Sequence, residues 1–190
     1  LSVLTLGNLF GGTMIRVLLV DDHKLFRMGL RKLLQDCKGI NVIAEADSGE
    51  SAIRIARDER PNVVLMDICM PGIGGLEATR RIVRMEFDIK VIAVTACDEE
   101  PFPMQILRAG ASGYLSKGVS SDELVTAIRR VFLGKRYLSS DIAQDLAVSA
   151  FDNRPESPFE QLSNREMQIM MMVVNCHKVN AISCDLHLSP

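Results

Sequence analysis

Between residues 15 and 134, short apolar runs alternate with helix-like segments, and this alternation restricts the possible folds more than any other feature of the chain. Five runs are rich in apolar and β-branched residues, which is typical of strands that are buried on both faces. A segment with apolar residues at helical spacing follows each run. Such an order predicts an α/β fold, with a five-stranded doubly wound parallel sheet covered by helices on both faces.

The sequence also indicates where these elements begin and end. Ser48 suits the N-cap of the second helix, because its hydroxyl can accept a hydrogen bond from the first turn. Gly134 suits the C-cap of the fifth helix. The first helix is predicted to place Leu25, Met28 and Leu33 on one apolar stripe. The predicted strands are 15–20, 40–46, 62–67, 90–96 and 113–117, and the predicted helices are 23–35, 48–59, 76–86, 101–110 and 120–134.

The chain is predicted to contain four segments. The first segment, 1–13, lacks the basic stretch of a signal peptide. It is followed by a Met that stands directly before a strand, so the segment is predicted to be a cloning remnant or an upstream-translated extension. An edge strand formed by "SVLTL" is the alternative. The third segment, 135–161, is predicted to begin with an extra helix and to continue through a stretch rich in Pro, Asn, Asp and Ser, which indicates a linker. In order, the segments are the extension 1–13, the α/β domain 14–134, the linker 135–161 and a smaller helical unit 162–190.

Composition excludes several classes of protein. Hydrophobic residues make up 47% of the chain, enough for a sizeable core, and the net charge of −2 gives no general affinity for nucleic acid. No apolar run has the length needed to cross a bilayer, so no membrane partner is expected. The five cysteines are scattered and odd in number, which favours reduced thiols and a cytoplasmic location.

Charged and hydroxyl side chains stand where the predicted strands end. Asp21 and Asp22 follow the first strand, Asp67 ends the third, Thr95 lies near the end of the fourth, and Lys117 ends the fifth. The carboxyl ends of parallel strands meet at one edge, so these side chains are expected to lie together. Carboxylates about 4 Å apart repel by roughly 4 kcal/mol at an effective dielectric near 20. A lysine offsets part of that repulsion, and Mg²⁺ offsets more.

A simpler interpretation of the acidic pair is that it caps the following helix, whose N-terminus favours negative charge. The agreement of four separate strand ends favours a functional site instead.

Four stretches carry a resemblance to a known family: "LLVDDHKLFR", "LMDICMPGIGGLEA", "VIAVTA" and "GASGYLSKGVSSDEL". In this order and spacing, residues 14 to about 133 resemble the receiver domain of two-component response regulators. The resemblance implies a flavodoxin-like fold and a phosphoryl group accepted from a sensor histidine kinase with Mg²⁺. It also implies a protein that is not an enzyme in the usual sense, but that catalyses its own phosphotransfer and dephosphorylation.

The resemblance assigns roles to individual residues. Asp67 matches the phosphoacceptor. Asp22 matches the direct Mg²⁺ ligand, Asp21 the carboxylate that acts through water, and the backbone carbonyl of Cys69 the third protein ligand. Lys117 matches the lysine that neutralises the phosphoryl oxygens.

Two further positions match the switch by which phosphorylation alters the protein surface. Thr95 is expected to donate its hydroxyl to the phosphoryl group, and its movement is expected to open space into which Tyr114 turns. Gly118 stands where family members often have proline, which leaves the isomer of the preceding peptide bond open. Cys69 and Cys97, two residues after the phosphoacceptor and the threonine, are either ordinary small side chains or side chains that tune the lifetime of the phosphoryl group.

Residues 162–190 resemble the helix-turn-helix effector of NarL/LuxR-type regulators, through "LSNRE" and "KVNAIS". Ser163 and Glu166 form a capping-box pattern. The recognition helix is expected after the final "LSP", so 162–190 is expected to be a truncated helix-turn-helix domain that lacks this helix. DNA binding is therefore expected only through the full-length C-terminal domain, and no DNA-binding residue is assigned in this chain. The whole run is most similar to the GacA/UvrY-like regulators, and homodimer formation is left open.

Two other functions remain as alternatives. A receiver module that acts only through protein–protein contacts would share every feature of residues 14–134. A flavodoxin-like cofactor binder would need a phosphate-cradling loop after the first strand, whereas "DDHKLF" supplies carboxylates there.

Overall fold

The computed structural model describes residues 14–95, 102–140, 142–144 and 166, and it confirms the predicted α/β architecture. The strands form one parallel sheet in the order β2-β1-β3-β4-β5-β6. The elements are β1 Ile15–Val20, α1 Lys24–Gln35, β2 Ile40–Ala46, α2 Gly49–Glu59, β3 Val63–Met66, α3 Gly74–Val83, β4 Lys90–Thr95, α4 Phe102–Arg108, β5 Gly113–Ser116, α5 Ser121–Phe132 and β6 Tyr137–Leu138.

The register of the central strands determines where the functional side chains lie. β1 pairs with β2 on one side and with β3 on the other, so the strand order reverses at β1. Such a reversal opens a crevice at the carboxyl edge of a doubly wound sheet. Val20 lies opposite Met66, so β1 and β3 end side by side and bring Asp21 next to Asp67.

The sheet separates two hydrophobic cores, because successive strand residues point to opposite faces. One core lies under α2, α3 and α4 and includes Leu18, Met66 and Tyr114. The other lies under α1 and α5 and includes Leu19 and Ile128. The central strands are therefore buried on both faces, as their continuous apolar runs predict.

Helix caps confirm the predicted boundaries. The hydroxyl of Ser48 accepts a hydrogen bond from the Ser51 amide at the start of α2. The hydroxyl of Ser120 accepts one from the Glu123 amide at the start of α5. Gly134 follows the end of α5 with a φ of 78°, a left-handed conformation that glycine adopts without a steric penalty.

The predicted buried face of α1 is partly wrong. Leu25 is 83% exposed and Met28 is 55% exposed, whereas Leu34 is fully buried. α1 carries two overlapping apolar stripes. The stripe that packs on the sheet has its residues spaced three to four apart and includes those of the second half of the helix. The residues of α1 that contact the core are Phe26, Leu30, Leu33 and Leu34.

A sixth strand replaces the first residues of the predicted linker helix. Tyr137 lies opposite Gly113, and its amide donates to the carbonyl of Ser112 at 3.0 Å. β6 thereby satisfies hydrogen-bonding groups on the otherwise open edge of β5. The Tyr137 hydroxyl also donates to Glu123 at 3.3 Å, which fastens the new strand to α5. Helical residues then begin at Ser140.

Several predictions lie outside the described residues: the extension 1–13 and its alternative edge strand, Cys97, and the helical unit 162–190 apart from Glu166, which is helical and exposed. Within the described ranges, the helices are too short or too polar for any of them to cross a membrane.

Candidate functional site

Asp67 lies at the centre of the carboxyl edge, directly after β3, and is only 2% exposed. Its Oδ1 accepts a hydrogen bond from the Cys69 amide at 3.1 Å. Its Oδ2 lies 2.7 Å from the ammonium nitrogen of Lys117. Both oxygens of this buried carboxylate are therefore held by hydrogen-bond donors, which fixes the direction in which the carboxylate can react.

Lys117, which directly follows β5, contacts residues at the ends of three other strands, β1, β3 and β4. Its ammonium nitrogen lies 2.7 Å from carboxylate oxygens of both Asp21 and Asp67, and 4.7 Å from the centre of the Phe26 ring. Its backbone amide donates to the carbonyl of Thr95 at 2.8 Å, which aligns the ends of β4 and β5. The lysine thus contacts two carboxylates at once and offsets part of their charge, and an aromatic face adds a favourable cation–π contact.

Asp21 and Asp22 follow β1, but their environments differ. Asp21 is 3% exposed, and its Oδ1 accepts a hydrogen bond from the His23 amide at 2.8 Å, next to the start of α1. That amide belongs to the N-cap residue, and α1 has no side-chain cap hydrogen bond and no acidic residue in its first turn, so the helix-capping interpretation is not supported. Oδ1 of Asp22 is buried and accepts no hydrogen bond from the described residues. His23 Nδ1 lies 2.9 Å from that oxygen, which is contact by distance without hydrogen-bond alignment.

A buried oxygen without a donor normally has another partner, such as a cation. Asp21, Asp22, His23 and Asp67 each offer a ligand atom, and these atoms lie within 4.8 Å of one another. Three of the four offer carboxylate oxygens, which are the protein ligands that Mg²⁺ prefers. The residues present therefore fit a Mg²⁺ ion.

The electrostatics of the site favour an added cation. Burial is the main cause that raises the pKa of Asp67, and the nearby Asp21 raises it further, while Lys117 partly opposes both. Burial alone would lower the pKa of Lys117, but Asp67 and Asp21 together raise it above its ordinary value. Lys117 therefore remains charged, and one lysine does not fully compensate for a buried carboxylate beside a second one.

Thr95 and Tyr114 lie on the same face of the sheet. Thr95 ends β4 and is completely buried, with its hydroxyl 3.7 Å from the sulfur of Cys69. Tyr114 is paired with Ala93 and is also completely buried. Since side chains two residues apart on a strand share a face, Thr95 and Tyr114 are diagonal neighbours. Tyr114 is therefore a core residue, rather than the half-buried aromatic that an ordinary strand position would predict.

The loop after Asp67 depends on glycines. Gly72 and Gly74 have φ angles of 78° and 72°, which favour glycine. A carboxylate oxygen of Glu50 in α2 accepts a hydrogen bond from the Ile73 amide at 3.0 Å and fastens the loop from outside. The backbone of the stretch "MPGIGG" is thus fixed by left-handed glycines and by the hydrogen bond to Glu50.

Comparison with known proteins agrees with the geometry of the site. The family model described as "Response regulator receiver domain" matches residues 17–129, which is more than half of the chain. The chain belongs to the response regulators. The two strand ends with carboxylates and the strand end with lysine all lie within the matched range.

Curated relatives place this response regulator more narrowly. It is 53% identical over 178 residues to "Response regulator GacA" of Pseudomonas aeruginosa, covering 93% of this chain and 83% of the relative. It is 54% identical to "Response regulator UvrY" of Escherichia coli (strain K12), covering 93% and 82%. A solved structure of a LuxR-family two-component response regulator from Aurantimonas sp. SI85-9A1 is 38% identical, with a TM-score of 0.69 over 73% of this chain and 99% of that one.

The resemblance inferred from the sequence is therefore confirmed. The protein is a two-component response regulator of the LuxR type, with a receiver domain and phosphorylation-dependent control of transcription.

Sequence reasoning missed three residues around the site of this response regulator. Arg27 donates to the backbone carbonyl of Asp21, and it is held in turn by Glu45 of β2. Phe26 lies against Lys117. Helical spacing identifies Phe26 only as an apolar position, and a pairing between α1 and β2 leaves no signal in a single sequence.

An apolar groove of about 760 Å³ lies beside the site, between α1 and the start of α5. Lys117 and His23 stand at its polar end. Its apolar walls include Phe26, Leu30, Leu33, Val119 and Leu124.

Proposed function

We propose that Asp67 is the phosphoacceptor of this response regulator and receives the phosphoryl group from a phosphohistidine of a sensor histidine kinase. A carboxylate oxygen of Asp67 attacks phosphorus, the P–N bond breaks, and the imidazole leaves with the electron pair. The product is an aspartyl phosphate. The observation that carries this proposal is the buried Asp67 carboxylate, which is oriented by Lys117 and the Cys69 amide beside two further carboxylates.

The chain's own residues would hold Mg²⁺ through Asp22, Asp67 and the backbone carbonyl of Cys69, with Asp21 acting through water. The buried oxygen of Asp22 that lacks a hydrogen bond supports this assignment. Bound there, Mg²⁺ would supply positive charge against the phosphoryl oxygens as they approach the acidic pocket.

Lys117 has the second role in the transfer. Its ammonium group lies 2.7 Å from Asp67 and remains charged, so it can follow the incoming phosphoryl oxygens and neutralise them. With the Cys69 amide, it forms a preorganised set of donors that needs little rearrangement. The same groups support hydrolysis of the aspartyl phosphate by water, so the protein limits the lifetime of its own signal.

Thr95 and Tyr114 form the proposed switch. Phosphorylation adds about −1.5 to −2 charges and new acceptor oxygens. The Thr95 hydroxyl turns toward one of these oxygens, and the space that it leaves admits the ring of Tyr114 from the same face. Their diagonal placement on β4 and β5 supports this coupling. The surface formed by α4, β5 and α5 changes as a result.

The proposed partners are a sensor histidine kinase and DNA. A kinase must bring its histidine to Asp67, and the apolar groove next to Lys117 provides surface for a protein partner. Leu25 of α1, which lines this groove and is 83% exposed, supports such a contact. DNA binding by the C-terminal helix-turn-helix unit is the proposed output, and the cytoplasm is its proposed location.

Labelling by a small phosphodonor tests the assignment of Asp67. The wild-type protein, incubated with acetyl phosphate and Mg²⁺, is expected to acquire one phosphoryl group, seen as a shifted band on a phosphate-affinity gel. The Asp67→Asn variant is expected to show no shift. Asp58→Asn is a matched control, because Asp58 is an exposed aspartate within α2 and does not follow a strand. Undiminished labelling of Asp67→Asn would exclude Asp67 as the acceptor.

A further inference from the structure

Both backbone groups of Asp21 are held by hydrogen bonds, although the residue lies outside regular secondary structure. The amide of Asp21 donates to the carbonyl of Ala46 at 3.1 Å. The carbonyl of Asp21 accepts a hydrogen bond of 2.5 Å from Nη1 of Arg27. β1 ends before this carbonyl and α1 begins after it, so neither element supplies the carbonyl with a backbone donor. Arg27 supplies that donor from the first turns of α1.

Arg27 is itself fixed in place by a second contact. Its side chain is only 13% exposed, and its Nε lies 3.4 Å from a carboxylate oxygen of Glu45. Glu45 lies on β2 opposite Leu19, the strand residue two positions before Asp21. The other carboxylate oxygen of Glu45 pairs with Arg31, one helical turn further along α1. The two arginines lower the pKa of Glu45, so it stays ionised at neutral pH.

This arrangement has a consequence for Asp22. A peptide unit is planar, so fixing the carbonyl direction of Asp21 also fixes the direction in which the chain enters Asp22. The buried oxygen of Asp22 accepts no hydrogen bond from the described residues, and its one close side-chain neighbour is the largely exposed His23. The backbone is therefore the main constraint on the position of this oxygen, and Arg27 holds that backbone from the helix side.

Glu45 also balances charge. A guanidinium group close to the acidic pocket would compete with a divalent cation for the field of the aspartates. Glu45 offsets part of the positive charge of Arg27, although it shares its carboxylate with Arg31.

We propose that Arg27, held by Glu45, is a positioning residue for the Mg²⁺ site and sets the placement of the Asp22 carboxylate through the Asp21 carbonyl. The inference rests on the proposed function, since it concerns the same Mg²⁺ site. Groups that orient metal ligands in this way typically change metal affinity by about 10–100-fold when they are removed.

Titration with MgCl₂ alone, followed by amide NMR spectra of the full chain, tests the proposal without phosphotransfer. Arg27→Ala is expected to raise the Kd for Mg²⁺ by about tenfold or more. Arg31→Ala is the matched control: Arg31 pairs with the same Glu45 but does not contact the Asp21 carbonyl. Its Kd is expected to stay within about threefold of the wild-type value, well short of that range.

A conservative variant separates positioning from folding. Arg27→Lys keeps the charge but loses the planar fork that reaches two acceptors, so its affinity is expected to lie between those of the wild type and Arg27→Ala. It also replaces Arg27→Ala as the test if that variant fails to fold. Thermal unfolding without Mg²⁺ is measured for each variant, because a merely structural role lowers the Tm and leaves the Kd of the folded protein unchanged.

The outcomes distinguish the two proposals. Wild-type affinity in both Arg27 variants, or an equal loss in Arg31→Ala, would overturn the role of Arg27 and leave the Mg²⁺ site intact. A wild-type protein that does not bind Mg²⁺ would overturn the site and the positioning role together.

Discussion

Replacing Gly75 by alanine is expected to damage the phosphoacceptor loop because of space rather than backbone strain. An ideal Cβ at Gly75 would lie 2.7 Å from the Ile68 Cα and 2.8 Å from the Asp67 carbonyl carbon, and closer still to the carbonyl oxygen. Real Cβ atoms essentially never approach other atoms within 3.0 Å. Every one of these neighbours is backbone, so no flexible side chain can move aside.

The cost follows from that geometry. Either the start of α3 moves away from the loop, which breaks the 3.2 Å hydrogen bond from the Gly75 amide to the Ile68 carbonyl, or Asp67 itself shifts. Over-packing of this kind typically costs 1–3 kcal/mol, and backbone neighbours place Gly75→Ala at the upper end, about 3 kcal/mol. Because the contacted atoms belong to the backbone of Asp67 and Ile68, labelling by acetyl phosphate is expected to fall as well.

Urea unfolding followed by far-UV circular dichroism measures the loss, since the chain has no tryptophan for fluorescence. Gly29→Ala is the matched control: Gly29 lies inside α1, and nothing lies within 4 Å of its ideal Cβ. That variant is expected to gain up to about 1 kcal/mol from helix propensity, with unchanged labelling. A Gly75→Ala protein with wild-type stability and normal labelling would refute the steric argument.

Two further predictions concern the charges of the site in Mg²⁺-free buffer. Lys117→Gln is expected to lower the free energy of unfolding by about 3 kcal/mol, because it leaves Asp21 and Asp67 buried without their cation. Added Mg²⁺ should recover more stability in this variant than in the wild type, and an equal gain in both would contradict the charge argument. The second prediction follows from the raised pKa of Asp67. The stabilising contribution of Asp67 to the free energy of unfolding is fully present below its unfolded pKa, near 3.8, and is lost as pH rises through its higher pKa in the folded protein. The stability of Asp67→Asn relative to the wild type, from urea unfolding at a series of pH values, should therefore increase as pH rises above 3.8, and a flat difference would show that burial does not perturb this group.

The sequence was sufficient to predict the main strands and the residues at their ends. Strands buried on both faces leave continuous apolar runs, and the functional side chains of a doubly wound sheet stand directly after those runs. The grouping of Asp21, Asp67 and Lys117 follows from these two facts and from the register between β1 and β3.

Other features depend on information that a single sequence does not display. β6 is two residues long, too short for a periodic pattern, and it forms because β5 leaves an open edge. α1 carries two overlapping apolar patterns, and only packing against the sheet decides that Leu34 is buried and Leu25 is exposed. The contact of Arg27 with Glu45 joins residues from different elements. The complete burial of Tyr114 likewise depends on helices packed over β5.

The central claim is that Asp67, in its pocket of two carboxylates and a lysine, accepts the phosphoryl group. The most direct test is peptide mapping by mass spectrometry of the wild-type protein, after acetyl phosphate treatment and borohydride reduction of the acyl phosphate. Modification is expected at Asp67 alone, present with Mg²⁺ and lost when EDTA removes the ion. Modification at another carboxylate, or an equal yield at Asp67 in EDTA, would contradict the claim.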